Sequence, residues 1–439
     1  MPAKTPPKRK AQAVPPARVK SAALTRAQEL ELIRELVARI VQECPVRTPT
    51  GEDERRAHEI MRAEFEALGL PVSEHEFEFN RSLYANMALH MGLGVAGTAV
   101  SGLLPWLGFL LHAGTAASYW REATRKGYWL RRVFPWRPSR NILATLPATA
   151  PNGPEPALRV VVAAHVDAAY TGLLFHPAII RAMENGPRAL DFAKRGLNLA
   201  VRTQVALAGI DLARMLLGPL AWPLRPLEAT LTLPSLLAFL TSFEVVLRNR
   251  IVPGANDDLS GVAALLVLAR RLLERRDPRV EYVLAATGCE EASLGGADAL
   301  ARDMRGRWDP RRTVVLGLDG LAGGELRFAQ TEGEVTQIHI PAWLREVCQE
   351  TAASEPRFAE VKGFAIPVGG TDMEAFLFRG WEAVSLVCLD PAIGAPHHYH
   401  QPSDTPENLD VEKVLFSTDF AHKLIEGIVA RRLGTPPGA

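Results

Sequence analysis

The chain has 439 residues, of which 47% are hydrophobic and 23% charged, and its formal net charge is +1. This length predicts one to three globular domains, and the near-neutral charge excludes a general electrostatic attraction to nucleic acid. The four cysteines are scattered without CxxC spacing, which argues against a disulfide framework and against a cysteine-based zinc site. Any bound metal would therefore be held by histidine and carboxylate side chains.

The N-terminal part begins with a basic segment and continues as a regular fold. Residues 1–22 are rich in Pro, Ala and basic residues, so we expect a solvated, disordered tail without a signal peptide. Attraction of this tail to anionic lipid is a minor alternative. Residues 23–81 then predict two amphipathic helices, at 24–43 and 52–68, and a half-exposed strand at 72–80.

The composition changes sharply after this strand. Residues 82–120 contain no Lys, Arg, Asp or Glu, and a basic segment with two tryptophans follows as far as residue 137. The uncharged run can form two helices of about 18–20 residues, which is the length needed to cross a bilayer. We predict a membrane hairpin over 82–137 with its turn near Gly102 and Pro105. The alternative is a buried helix pair or a hydrophobic dimer surface.

A second apolar region covers residues 205–247 and is interrupted by four prolines and five charged residues. We predict a second hairpin within 186–250, either inserted in the membrane or lying on its surface. Asp211 and Arg214 are spaced to form an ion pair within it. Because arginines flank both apolar regions, the positive-inside rule places the globular part in the cytoplasm.

The remaining residues, 138–185 and 251–434, predict strands that alternate with helices. Such an order predicts an α/β fold with a mostly parallel mixed sheet, covered by helices on both faces. The predicted strands are 139–145, 158–164, 280–287, 313–318 and 383–389.

Polar side chains follow several of these strands at the point where each strand ends. His165 and Asp167 follow one strand, Glu290 and Glu291 another, and Asp319 a third. Binding sites in open α/β sheets form beyond the carboxyl ends of strands. Buried acids there are costly unless they bind a ligand or are hydrogen-bonded.

Two further segments add candidate ligands. Asp257 lies in the glycine-rich turn 253–261 before a predicted helix, and His400 lies in the polar loop 396–405. Each residue alone has a simpler interpretation: a helix N-cap for Asp257, a satisfied buried histidine for His165, a surface histidine patch for 397–400. Together, two histidines and several carboxylates form a ligand set suited to two zinc-like ions.

The order HxD, GANDDxSG, EE, LD and YHxPxDT resembles the M28 family of zinc metallopeptidases, of the bacterial aminopeptidase type. The matching segments are 165–167, 254–261, 288–291, 318–319 and 399–405. The resemblance covers the chain except the tail and the two apolar regions. It implies a dinuclear zinc exopeptidase, an aminopeptidase in the first instance, which acts on peptides.

The resemblance also implies a role for each site residue. Asp257 bridges two zinc ions, with His165 and Asp319 completing one site and Glu291 and His400 the other. Glu290 is the general base that takes a proton from the attacking water and gives it to the leaving amine. Asp167 orients the ring of His165, and Tyr399 is a candidate for stabilising the oxyanion.

Some features depart from the family pattern and leave alternatives open. His165 and Asp257 are 92 positions apart, because the second apolar region lies between them, and this leaves the substrate class open. Met373 follows Asp372 where many members carry histidine. The alternatives are an M20-like deacylase, an inactive member that serves as a binding protein, and a glutaminyl cyclase type with one zinc. The oligomeric state is not indicated by the sequence.

Overall fold

The computed structural model describes residues 24–150, 155–185, 196–366 and 369–434. The predicted tail, 1–22, lies outside these residues. Within them, nine strands form one sheet and twelve α helices surround or extend from it. The strands are β1 (Val72–Phe79), β2 (Arg137–Leu146), β3 (Leu158–His165), β4 (Val280–Thr287), β5 (Thr313–Asp319), β6 (Glu325–Glu332), β7 (Ile338–His339), β8 (Lys362–Ala365) and β9 (Glu382–Leu389).

The helices fall into those that cover the sheet and those that do not. Those that cover the sheet are α1 (Arg26–Glu43), α2 (Glu52–Ala67), α8 (Leu259–Glu274), α9 (Gly295–Met304), α10 (Ala342–Ser354), α11 (Asp372–Phe378) and α12 (Val411–Leu433). The others are α3 (Leu83–Ser101), α4 (Pro105–Ala123), α5 (Pro177–Asn185), α6 (Gly196–Leu217) and α7 (Arg225–Arg248).

The strand order is β1-β2-β4-β3-β5-β9-β6-β7, and β8 pairs with β6. The four central strands β4, β3, β5 and β9 are parallel, whereas β1 and β2 on one side and β6 and β7 on the other pair antiparallel. All eight residues of β3 are buried, so helices cover both faces at the centre. The predicted α/β class with a mixed sheet and a parallel centre is confirmed.

Helix α8 shows why the sheet is so well covered. Its apolar residues recur on every side of the helix, and all residues from Leu259 to Ala269 are buried. The helix packs on β3, β4 and β5 with one side and against α1 and α12 with another. A helix that is apolar all round belongs inside a large core. The turn that precedes α8 is therefore anchored at the carboxyl edge of the central strands.

The two apolar regions pack together, although they are far apart in the sequence. Helices α3 and α4 form one hairpin, α6 and α7 the other, and α3 packs against α7 while α4 packs against α6. We call these four helices the helical bundle. Its base is the end where α3 begins, and its tip contains the two connections, 102–104 and 218–224.

The interior of the tip is polar. His112 Nδ1 lies 2.6 Å from Asp211 Oδ2, and Ser101 donates to the same carboxylate. Arg214 donates to Ser101 Oγ at 2.6 Å and to Glu228 at 2.7 Å. The predicted direct pair between Asp211 and Arg214 is wrong, because each group has a partner on another helix and Ser101 links them.

The outer surface of the bundle is apolar. Leu103 is 88% exposed and Leu220 is 80% exposed, both at the tip. Along the described residues, one segment, Leu220–Arg248, is long and apolar enough to cross a membrane. Other exposed apolar side chains on the bundle are Trp106, Leu110, Val205, Leu216, Trp222, Leu233, Leu237, Leu240, Phe243 and Leu247.

Candidate metal centre

The two adjacent acids of the glycine-rich turn have different environments. Asp258 is the N-cap of α8 and accepts from the N–H of Gly261 at 3.1 Å, while its carboxylate also accepts from the N–H of His165 and Gly320. Asp257 is therefore not the helix cap, and its carboxylate lies between two histidines. The helix-cap interpretation that the sequence leaves open for Asp257 applies to Asp258 instead.

Asp257 contacts one histidine with each of its oxygens. His165 Nε2 lies 3.3 Å from Oδ1, and His400 Nε2 lies 3.3 Å from Oδ2. Two ligand atoms bound tetrahedrally to one zinc, each about 2.0–2.1 Å from it, are about 3.3 Å apart. The spacing on both sides of Asp257 is therefore that of carboxylate and imidazole ligands of zinc.

The two glutamates extend the cluster in opposite directions. Glu290 Oε2 lies 3.8 Å from His165 Nε2, and Glu291 Oε1 lies 3.5 Å from His400 Nε2. Both glutamates lie in the turn that follows β4. Three non-glycine residues of this turn, Cys289, Ser293 and Leu294, have positive φ. We call residues 288–294 the Glu-Glu turn.

Asp167 holds the Glu-Glu turn against β3. Its carboxylate accepts from the backbone N–H of Glu290 at 3.1 Å and of Glu291 at 2.9 Å. His165 Nδ1 lies 3.2 Å from the Asp167 carbonyl oxygen and 3.5 Å from Oδ1. Asp167 therefore contacts the ring of His165, and it also fixes the backbone that carries both glutamates.

Asp319, at the end of β5, lines the same cavity as Asp257, Glu290, Glu291 and His400. The cavity has a volume of about 250 Å³. Tyr399 lines it as well, and its ring lies against the imidazole of His400 with centroids 4.0 Å apart. All eight residues that the sequence predicts for the site thus converge at one edge of the sheet.

The cluster carries an excess of buried acids. Burial raises the pKa of Glu290 well above its usual range, that of Glu291 to about 8 and that of Asp319 to about 7, with the neighbouring acids adding to each shift. Burial opposes the charged form of His165, but Glu290 and the two aspartates outweigh it and raise its pKa. Burial also opposes the charge of Asp257, yet the two histidines lower its pKa.

These groups fit divalent cations. The ligand atoms of His165, Asp257 and Glu291 all lie within 4.8 Å of one another. Nε2 of His165 is buried and forms no well-directed hydrogen bond within the described parts of the chain. A buried set of acids with raised pKa values, beside an imidazole nitrogen without a well-directed hydrogen bond, is stabilised when cations replace protons. Histidine and carboxylate are ligands that zinc accepts.

Residues 242–425 match the model of Peptidase family M28. This segment of the chain is therefore similar to peptidases of the M28 family. The match contains every site residue except His165 and Asp167, which lie upstream of the second apolar region. It also favours the M28 resemblance over the M20-like alternative.

Comparison with a curated protein gives a short, close match. The chain is 51% identical over 53 residues to a probable zinc metalloprotease of Leptosphaeria maculans. This match spans 12% of each protein, so it covers only a small part of that relative.

Solved structures share the fold of this chain at low sequence identity. A zinc aminopeptidase from Bacillus subtilis is 14% identical with a TM-score of 0.52, covering 91% of this chain and 94% of its own. A glutaminyl cyclase from an Acidobacteriales bacterium is also 14% identical with a TM-score of 0.52, covering 96% and 100%. The fold alone therefore accommodates both kinds of protein.

Two residues that support the site, Asp404 and Glu54, are not singled out by the sequence pattern. Asp404 accepts from the N–H of Asn256 at 2.7 Å and of Asp257 at 3.1 Å. Glu54, from α2, accepts from the N–H of Cys289 at 2.8 Å. Asp404 belongs to the loop of His400, so its motif could have indicated it. Glu54 has no local signal, because its partner is 235 positions away.

Proposed function

We propose that the protein is a dinuclear zinc exopeptidase, specifically an aminopeptidase, held at a membrane by its helical bundle. The observation that carries the catalytic part is the carboxylate of Asp257, which lies 3.3 Å from a histidine nitrogen on each side. A single-metal site needs only one such contact.

The ligands divide into two sets around Asp257. His165 and Asp319 are assigned to one ion, and Glu291 and His400 to the other. The 3.5 Å contact between His400 and Glu291 supports the second pairing. For Asp319, support comes from its place in the cavity wall and from the effect of Asp257 on its pKa.

Zinc ions bound there would lower the pKa of water and polarise the substrate carbonyl. Glu290 is assigned as the general base: its carboxylate takes up the proton of the attacking water and passes it to the leaving amine. Burial supports this role, since it raises the pKa of Glu290 and so favours a carboxyl that can hold a proton. Asp167 and Glu54 keep the Glu-Glu turn in place through three consecutive backbone amides.

The cavity suits a peptide end with an apolar side chain. Its wall includes the apolar side chains of Leu83, Phe364, Ile366 and Val387. Tyr399 is assigned to the developing oxyanion, because burial keeps its hydroxyl protonated by raising its pKa well above the usual range. A protonated hydroxyl can donate a hydrogen bond to that oxygen.

The membrane part of the proposal rests on the bundle. Its shorter helices have 19 residues, which at about 1.5 Å per residue gives about 28 Å, close to the thickness of a bilayer core. Trp106 and Trp222 are exposed toward the tip, and Trp120 and Trp129 are exposed toward the base. Tryptophan at both ends of an apolar surface is typical of membrane-spanning helices.

The charges at the base suggest an orientation. Lys126 lies over the ring of Trp120 at 4.2 Å, and Arg121 lies over Trp129 at 4.7 Å. Exposed arginines 132, 137, 248 and 250 lie in the segments that join the bundle to the sheet. The positive-inside rule then places the base, and with it the active site, on the cytoplasmic side.

Glutaminyl cyclase activity is the second candidate, because solved cyclases share the fold as closely as the aminopeptidases do. The number of zinc ions separates the two. A protein with two zinc ions that hydrolyses aminoacyl-p-nitroanilides supports the peptidase; one zinc with cyclisation of N-terminal glutamine supports the cyclase.

The experiment uses the full chain, purified in a mild detergent, with zinc counted by mass spectrometry. We expect hydrolysis that a chelator abolishes and zinc restores. Glu290→Gln should keep both ions and lose roughly 10²–10⁴-fold in rate. Glu360→Gln is the matched control and should change nothing, because Glu360 is an exposed acid that does not line the cavity. Undiminished activity in Glu290→Gln would refute the assignment of the base, and absence of the chain from washed membranes would refute the anchor.

A further inference from the structure

Two buried arginines in the segment that follows α4 contact the Glu-Glu turn. Arg131 donates from Nη1 to the carbonyl oxygen of Ala292 at 2.8 Å and from Nε to Glu122, near the end of α4, at 2.7 Å. Its side chain is 0% exposed. Ala292 is the residue that directly follows Glu291, so this contact lies one residue beyond the candidate ligand.

Arg125 makes the neighbouring contact. It donates from Nη1 to the carbonyl oxygen of Ser293 at 2.9 Å, and from Nη2 to Glu374 on α11 at 2.9 Å. Arg125 and Glu374 are both 0% exposed. Two consecutive backbone carbonyls of the Glu-Glu turn are thus held by guanidinium groups that belong to the inserted segment.

The turn needs such support because of its backbone conformation. Ser293 has φ +88° and Leu294 has φ +56°, a region that side chains with a Cβ rarely adopt. Conformations of this kind persist when surrounding contacts over-determine them. On one side of the turn, Asp167 and Glu54 accept from its amides; on the other, Arg125 and Arg131 donate to its carbonyls.

The same contacts continue into the bundle. Glu122, the partner of Arg131, also accepts from Asn86 of α3 at 2.8 Å. A continuous set of buried polar contacts therefore runs from α3 and α4, through Glu122 and Arg131, to the residue after Glu291. A change in the packing of these two helices would move the carbonyl of Ala292 directly.

We propose that Arg125 and Arg131 are positioning residues that couple the helical bundle to the catalytic Glu290 and the zinc ligand Glu291. The bundle then sets the geometry of the active site in addition to anchoring the protein. This proposal rests on the proposed peptidase function for its kinetic readout, but its structural readout is independent of it.

The test replaces Arg131 in the full chain, purified in detergent. Arg131→Met should lower kcat on the order of 10- to 100-fold, with KM and zinc content unchanged, because the general base is misplaced while the cavity stays intact. Arg131→Lys should lie between Arg131→Met and wild type, since lysine keeps the charge but not the forked geometry. The double variant Arg131→Met/Glu122→Met, which leaves no unpaired buried charge, should match Arg131→Met if that single variant folds poorly.

Arg214→Met is the matched control. Arg214 is also a buried arginine of the bundle paired with a glutamate, Glu228, but it lies at the tip and contacts no residue of the Glu-Glu turn. It should keep the wild-type kcat. Equal losses of kcat in Arg131→Met and Arg214→Met, or a wild-type kcat in both, would overturn the coupling.

Hydrogen exchange of the amides of residues 289–294 gives the second readout. Exchange should be faster in Arg131→Met and unchanged in Arg214→Met. If the wild-type chain hydrolyses no peptide, the proposed function fails and the exchange data alone decide on the positioning role: equal exchange in both variants refutes it.

Discussion

Removal of metal should make the stability of this protein depend on pH in a defined direction. In the metal-free site, burial and the neighbouring acids raise the pKa of Asp319 to about 7 and that of Glu291 to about 8, from ordinary values of 3.8 and 4.5. The unfolded chain releases these protons near pH 4, whereas the folded chain retains them until pH 7 to 8. The folded state therefore loses stability as pH rises through this window.

The other site groups act in the same direction or outside the window. The raised pKa values of His165 and His400 stabilise the folded state at pH values below the ordinary pKa of histidine. This stabilisation is lost as the pH rises through the pKa that each histidine has in the folded state. The lowered pKa of Asp257 contributes stability above its ordinary value, and this is lost only in more acidic solution. Between pH 5 and 8, the stability of the metal-free protein should therefore only fall with rising pH, because the pKa values of Asp319 and Glu291 are raised.

The magnitude follows from the shift of one group. Each pKa unit corresponds to about 1.4 kcal/mol, so Asp319 alone contributes on the order of 4 kcal/mol across its titration. Zinc removes this penalty, because a cation replaces the proton and the carboxylates stay paired. The gap in stability between zinc-loaded and chelated protein should therefore widen as pH rises from 5 to 8.

The assay is thermal unfolding of the full chain in detergent, with and without chelator, at half-unit steps of pH. The difference in Tm should grow by several degrees over this range. Asp319→Asn should flatten the slope for the chelated protein, and Asp309→Asn, at the opposite end of β5, should leave it unchanged. A chelated protein whose Tm is constant or rises toward pH 8 would refute the reasoning.

Three further changes test other parts of the structure. Asp404→Asn weakens the support of the Asp257 backbone, so zinc affinity should fall about 10- to 100-fold in competition with a chelator; an unaltered affinity contradicts this. Ser260→Ala removes a hydroxyl that donates to Asn256 and accepts from Leu321, and should cost about 1–3 kcal/mol in denaturant unfolding; no measurable cost would be inconsistent with the buried bonds. Leu240→Lys on the bundle should reduce vesicle binding about 10²-fold, from a cost of about 2.5–3.5 kcal/mol, while Val46→Lys should not; equal binding of both variants counts against the membrane surface.

The parallel centre of the sheet and the convergence of the site follow well from the sequence. The central strands are short apolar runs; β3 ends at His165, β5 ends at Asp319, and Glu290 follows β4 by three residues. Parallel strands bring these ends together. Motif order also brings Asp257 and His400 into the predicted cluster although both lie in loops, and their side chains lie 3.3 Å apart. Helix-capping chemistry does not distinguish Asp257 from Asp258, because either acid could accept the N–H at the start of α8.

The antiparallel side of the sheet is harder to predict. β6 (Glu325–Glu332) alternates charged and apolar residues only weakly, and β8 (Lys362–Ala365) has four residues, so neither is assigned from the sequence. The pairing of the two hairpins is also absent from any local pattern. It depends on contacts such as that of His112 with Asp211, which are 99 positions apart. The hydrophobic periodicity of a helix does not indicate contacts between residues so far apart in the sequence.

The helical bundle consists of two hairpins that are far apart in the sequence, and this affects how it folds during synthesis. During synthesis, domains tend to fold from the N-terminus, and α3 and α4 are complete long before α6 and α7 emerge from the ribosome. Until then, the imidazole of His112 and the hydroxyl of Ser101 lack their hydrogen-bond partner, Asp211. The buried polar groups of the first hairpin therefore stay unpaired until the second hairpin packs against it. A chain interrupted between the two hairpins would expose an incomplete bundle to chaperones and proteases.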